Sequence, residues 1–126
     1  MQINDFLLCC RRVRFGMNVT RPRVLCADGY TVSVQAGRGM YSTPREDADS
    51  YTRVELGYPS AQDAELIPYA ENPDAPLDTV YAYVPVEIVD AVLEKHGGIT
   101  GADFSNGTAA EWSAVDDVGG VTPDGG

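Results

Sequence analysis

The stretch Arg23-Val24-Leu25-Cys26-Ala27-Asp28-Gly29-Tyr30-Thr31-Val32-Ser33-Val34-Gln35-Ala36 decides the fold. Arg23 to Ala27 is a short apolar strand. Asp28-Gly29 follows, a dipeptide that tolerates positive φ at a tight turn. Beyond the turn, Tyr30, Val32 and Val34 fall on one face, while Thr31, Ser33 and Gln35 fall on the other. That period of two marks a half-buried strand. A β-hairpin over residues 23–36 is therefore the seed of the structure.

Working outward, Gly37 to Ser50 reads as a loop with Gly37, Gly39, Pro44 and the acidic run Glu46-Asp47-Ala48-Asp49. It is long for a plain connection, and long loops often carry function. Tyr51 to Tyr58 reads as a third strand. Ala61 to Leu66 reads as a short helix capped by Ser60 and ended by Pro68. Glu71 to Asp78 is a turn region with Pro73 and Pro76, and Thr79 to Val84 is a fourth strand rich in β-formers. From Pro85 the spacing changes: Val86, Val89, Val92 or Leu93, then His96. Pro85 suits the first helical position. Glu87 and Asp90 sit near the positive end of the helix dipole, Lys95 and His96 near the negative end. Gly97-Gly98 stops the helix. The fold class is α+β: a small antiparallel sheet of about four strands with one main helix over 85–96 and flexible tails. The domain spans 20–99, preceded by an N-terminal extension over 1–19 and followed by an acidic, Gly-rich tail over 100–126.

With 126 residues, one domain with a modest core is expected. No apolar run approaches the ~20 residues of a membrane helix. Nine basic residues against 19 acidic ones give a net charge of -10. That balance argues against direct nucleic-acid binding, which needs Lys and Arg for phosphates. The charge is graded along the chain. Five arginines against Asp5 make residues 1–23 basic, the body is acidic, and residues 97–126 hold acids with no Lys or Arg. Such asymmetry points to a charged partner or a charged tail; it also simply keeps a protein soluble.

Cysteines number three, Cys9, Cys10 and Cys26, and an odd count with an adjacent pair is a poor disulfide framework. A reducing cytoplasm is the simpler context. The apolar patch Phe6 to Cys10 precedes its arginines, the wrong order for a secretory signal. Residues 1–16 read equally as an upstream extension ahead of Met17 or as a short helix docking through Phe6 and Leu7. Trp112, in the tail, reads either as an anchor for a partner or as a side chain folded back on the body.

No catalytic constellation stands out. His96, the sole histidine, ends a helix, where a cation meets the dipole. Cys26 lies among apolar strand neighbours, as an inert buried thiol does. The cysteines lack zinc-ligand spacing, and Glu46-Asp47-Ala48-Asp49 lacks calcium-loop spacing. Gly37-Arg38-Gly39 is a turn without the Lys-Ser/Thr of a phosphate loop. No metal, cofactor or catalytic residue is assigned. Seven tyrosines recur through the body, and tyrosine suits half-exposed sheet faces and interfaces alike. The strip Arg38 to Arg45, with Tyr41 at its centre, has the composition of an adaptable contact surface.

The pattern of Arg23 to Tyr30, Ser33-Val34-Gln35, Tyr41-Ser42-Thr43-Pro44-Arg45, Val54 to Ser60 and Tyr83-Val84-Pro85-Val86-Glu87 resembles small uncharacterised proteins carried by bacteriophages and prophages, over about residues 20–99. The resemblance implies an accessory role in phage–host conflict or phage replication, in the cytoplasm of a bacterial host. A non-enzymatic protein is expected, binding and inhibiting a host protein or nucleoprotein complex through an acidic surface that imitates nucleic acid, as some anti-CRISPR proteins do. Carboxylates placed like phosphates would meet basic side chains, aided by long-range steering. The candidate partner-binding residues are Tyr41, Glu46, Asp47, Asp49, Asp63, Glu65, Glu71 and Asp74, expected to form one continuous patch. The alternatives are a phage structural or assembly protein and a small enzyme with an unrecognised site.

Overall fold

The computed structural model describes residues 1–13, 19–103 and 113–114. Its centre is a five-stranded antiparallel sheet of β3 (Arg23–Cys26), β4 (Thr31–Gln35), β5 (Arg53–Gly57), β6 (Val80–Pro85) and β7 (Ile99–Asp103), in the order β6-β5-β4-β3-β7. Two-residue strands β1 (Arg12–Val13), β2 (Val19–Thr20) and β8 (Ser113–Ala114) pair beside it in the order β2-β1-β8. Helix α1 spans Ile3–Cys9 and helix α2 spans Val86–Lys95.

The expected α+β architecture is present, and the hairpin of β3 and β4 turns at Asp28-Gly29, with Gly29 at φ 94. The alternation in β4 sorts Val32 and Val34 into the core. Val24 and Cys26, Val54 and Leu56, and Tyr81 and Val84 join them from neighbouring strands. Both helices supply the same cluster, α2 through Val89, Val92 and Leu93 and α1 through Ile3, Phe6 and Leu7. A fully buried side chain of this kind contributes roughly 1.5–3 kcal/mol relative to exposure. The N-terminal segment is thus the docking helix and not an extension: Phe6 and Leu7 are each 1% exposed. Its entry is tied by Ile3 N–H donating to Asp90 Oδ1 at 2.7 Å and by a two-way exchange between Asn4 and Tyr51.

The sheet gains a fifth strand beyond the four expected. β7 pairs with β3 from Cys26↔Ile99 to Arg23↔Asp103, so the domain continues past residue 99. Residues 60–66 form turns, not a helix. The Ser60 hydroxyl accepts from Thr31 N–H at 2.9 Å across the chain, which spends the expected cap, and Pro68 lies inside a single 3-10 turn over Ile67–Tyr69. Trp112 and the remainder of the expected tail, residues 104–112 and 115–126, lie outside the described residues, as does Met17.

β6 carries a bulge. Val54 pairs with Val84 and Leu56 with Tyr81, so Ala82 and Tyr83 together oppose Glu55. Tyr83 takes φ 54 there, and its N–H donates to Tyr41 O at 3.2 Å. The bulge bends the strand toward the loop 37–50 and brings the two tyrosine rings to 5.8 Å.

Candidate functional site

Antiparallel order sorts the connections to two ends of the sheet. One end carries the β3–β4 turn, residues 58–79 and the C-terminus of α2. The other carries the loop 37–50 and the start of α2, where Val86 N–H donates to Thr52 O.

At the first end, His96 is held by two carboxylates. Nδ1 lies 2.7 Å from Asp28 Oδ2, and Nε2 lies 3.0 Å from Asp63 Oδ1. Tyr30 stacks on the imidazole, with centroids 3.7 Å apart and planes 2° from parallel. Lys95 reaches the same Asp63 oxygen at 2.8 Å and Glu65 Oε1 at 2.8 Å. Burial opposes charge on His96, but the hydrogen bonds to Asp28 and Asp63 outweigh it and raise its pKa. Burial likewise opposes charge on Asp63, and the bonds from Lys95 and His96 pull its pKa below the ordinary value. The His96 bond lowers Asp28 as well. The imidazole is therefore a doubly donating cation that locks the end of α2 to the β3–β4 turn and to residues 60–66.

A shallow cleft of about 260 Å³ opens beside this cluster, lined by Asp28, Gly29, Tyr30, Ser60, Ala61 and His96. A serine–histidine–aspartate arrangement would need the second imidazole nitrogen on the serine hydroxyl. Here that nitrogen is on Asp63, and Ser60 Oγ is taken by Thr31 N–H. The serine–histidine–aspartate arrangement is therefore not formed at this cleft. Burial, then the Asp28 and Asp63 charges, push the Cys26 thiol up to about 11, which keeps it protonated and unreactive. Among the described residues no group of three or more His, Cys, Asp or Glu side chains is placed to hold a metal ion. No helix among them is long and apolar enough to cross a membrane.

The eight residues chosen from the sequence fall into two groups and not one continuous patch. Tyr41, Glu46, Asp47 and Asp49 lie in the loop 37–50, among arginines. Arg45 sits 5.6 Å over the Tyr41 ring, Asp49 faces Arg11 at 3.9 Å, and Asp47 Oδ1 accepts Arg38 N–H at 3.1 Å. Asp63, Glu65, Glu71 and Asp74 lie at the opposite end. Asp63 is only 4% exposed, because its carboxylate is turned inward to Lys95 and His96, so it is not displayed on the surface.

Exposed charge follows the same division. Among the described residues, Asp28, Glu65, Glu71, Asp74, Asp78 and Glu94 are exposed at the His96 end, and Lys95 is the one exposed Lys or Arg side chain there. At the loop end Arg38, Arg45 and Arg53 are exposed and interleave with the acids. The acidic pole also shows Tyr58, 49% exposed, and Leu77, 50% exposed, in adjacent segments joined by Tyr58 N–H donating to Thr79 O. Tyr58 takes φ 51, and its carbonyl accepts from Arg23 Nη2 at 2.6 Å. Neither Asp28 as a His96 partner nor the exposure of Tyr58 and Leu77 at this end was signalled by the sequence, because the Asp28–His96 contact spans 68 positions and no spacing rule marks it.

No family model matches the chain, and no match was found among curated proteins or solved structures.

Proposed function

We propose that this protein acts by binding and not by catalysis, presenting its acidic pole to the basic surface of a protein or nucleoprotein partner. The observation that carries the reading is the segregation of charge: exposed carboxylates at the His96 end stand almost without exposed cations, while the loop end is mixed. The exposed Glu71, Asp74 and Asp78, at the same end of the sheet as Tyr58 and Leu77, combine long-range attraction with an apolar anchor, the arrangement that gives fast and oriented association. A clamped His96 also suits a rigid surface better than proton transfer. In a phage or prophage accessory protein, such a pole would occupy the nucleic-acid channel of a host defence complex in a bacterial cytoplasm.

The test is affinity capture from a bacterial lysate at low and high salt, run with two charge-neutralised variants. Glu71→Gln/Asp74→Asn/Asp78→Asn should abolish capture of a nucleic-acid-handling partner, and Glu46→Gln/Asp47→Asn/Asp49→Asn should leave it. Capture should weaken steeply with salt. Equal capture by both variants, or salt-insensitive capture of a phage structural protein, would overturn the reading.

A further inference from the structure

A second cavity, of about 270 Å³, is lined by Met1, Phe6, Cys9, Cys10 and residues 99–102 of β7. Three of its lining side chains carry sulfur. Cys9 Sγ lies 3.4 Å from Cys10 Sγ, and both cysteines are thiols. The remaining wall is Phe6, Ile99, Thr100, Gly101 and Ala102, with no carboxylate or imidazole. We propose that the Cys9–Cys10 pair and the Met1 thioether form a binding site for a soft, thiophilic cation, with monovalent copper as the ion the donor set suits.

Donor chemistry decides between ions. Thiolate and thioether ligands select copper(I), whereas magnesium and calcium need oxygen. Zinc takes four ligands from Cys, His and carboxylates, and this wall offers two thiolates and nothing else of that kind. Copper(I) needs no such fourth ligand. The spacing is close to what a shared ion requires. Sulfurs about 2.3 Å from a trigonal ion stand roughly 4.0 Å apart, so the pair opens by only about 0.6 Å from its 3.4 Å separation. The pair closes the C-terminus of α1, where Phe6 O accepts Cys10 N–H at 2.9 Å. Binding exchanges two thiol protons for two copper–sulfur bonds and changes no oxidation state. The resulting site carries a single negative charge, and Arg11 follows directly in the chain. None of the carboxylates of the acidic pole takes part.

The full chain, reduced and kept anaerobic, is titrated against copper(I) held by bicinchoninate. The wild-type protein should withdraw a single equivalent, with a sulfur-only shell by X-ray absorption. Cys9→Ser/Cys10→Ser should withdraw none while keeping its far-ultraviolet dichroism. A measurement on unmutated protein guards against a variant that fails to fold: copper(I) should protect Cys9 and Cys10 from alkylation, read by mass spectrometry, and zinc should not. No withdrawal by the wild type, undiminished withdrawal by the double variant, nitrogen or oxygen in the shell, or unprotected thiols would each overturn the proposal.

Discussion

The Tyr30 ring and the His96 imidazole lie face to face, 3.7 Å apart and 2° from parallel, while both imidazole nitrogens are held by carboxylates. A cation over a tyrosine face is attracted by the ring quadrupole. The stack thus adds to the two ion pairs in holding His96 charged, and the end of α2 depends on that charge.

Stability should therefore vary with pH in a defined direction. The folded pKa of His96 is raised, so its contribution is complete below the unfolded value of about 6.5 and is lost as pH rises through the folded value. Asp28 and Asp63 are lowered, so theirs is complete above an unfolded value of about 3.9 and is lost as pH falls through the folded ones. The cluster contributes most between about pH 4 and pH 6.5. The urea midpoint should be higher at pH 5.5 than at pH 8.5, and His96→Gln should shrink that difference. A variant with the wild-type pH profile would show that the clamp contributes nothing.

The Tyr30 hydroxyl gives a separate prediction. It is buried, and burial, then the charge of Asp63 and the closeness of that carboxylate to the phenol oxygen, push the phenol pKa up, although no acceptor meets the hydroxyl at full hydrogen-bonding geometry. Removing an unsatisfied buried hydroxyl is close to neutral or stabilising. Tyr30→Phe should hold or raise the urea midpoint, whereas Tyr30→Ala should cost about 3–5 kcal/mol through loss of the ring. A Phe variant destabilised by more than about 1 kcal/mol would reveal a hydroxyl bond of ordinary strength.

The elements that were legible in the sequence are those with strong local signals. Alternation across Tyr30 to Val34 gave the hairpin, and Pro85 with Gly97-Gly98 bracketed α2 to within a residue at each end. β7 was not legible. Ile99-Thr100-Gly101-Ala102-Asp103 has one large apolar residue and no alternation, so its order comes from pairing with β3. The site was the least legible part. His96 meets Asp63 across 33 positions and Asp28 across 68, and nothing local marks Asp63 as turned inward. The two groups of acids separated because antiparallel strands send alternate loops to opposite ends, which composition does not reveal.

Phe6 tests whether α1 belongs to the domain. A seven-residue helix has little stability of its own, so its order rests on packing. Phe6 is 1% exposed within the main cluster. Phe6→Ala should cost about 3–5 kcal/mol of unfolding free energy. Exposed Leu8, on the same helix at 42% exposure, is the control, and Leu8→Ala should change stability by less than about 0.5 kcal/mol. Equal effects of the two would mean that α1 does not dock in solution.

Arg21 carries the last prediction, because a cation buried to 1% exposure must justify its desolvation. Desolvation by burial lowers its pKa, with Tyr51 opposing from 6.0 Å. What compensates is geometry. The guanidinium donates from Nε to Leu7 O at 3.0 Å and from Nη1 to Ala36 O, joining the end of α1 to the end of β4. Its backbone N–H donates to Gln35 Oε1 at 2.9 Å, and Gln35 Nε2 donates back to Arg21 O at 2.8 Å. A methionine fills similar space but leaves two carbonyls without their donor, each worth about 1–3 kcal/mol when buried. Arg21→Met should therefore cost about 2–6 kcal/mol in urea unfolding. Arg21→Lys should not restore the loss, because a single ammonium lacks the planar fork that reaches both carbonyls. Full recovery by lysine would show that charge alone, and not the fork, holds the two elements together.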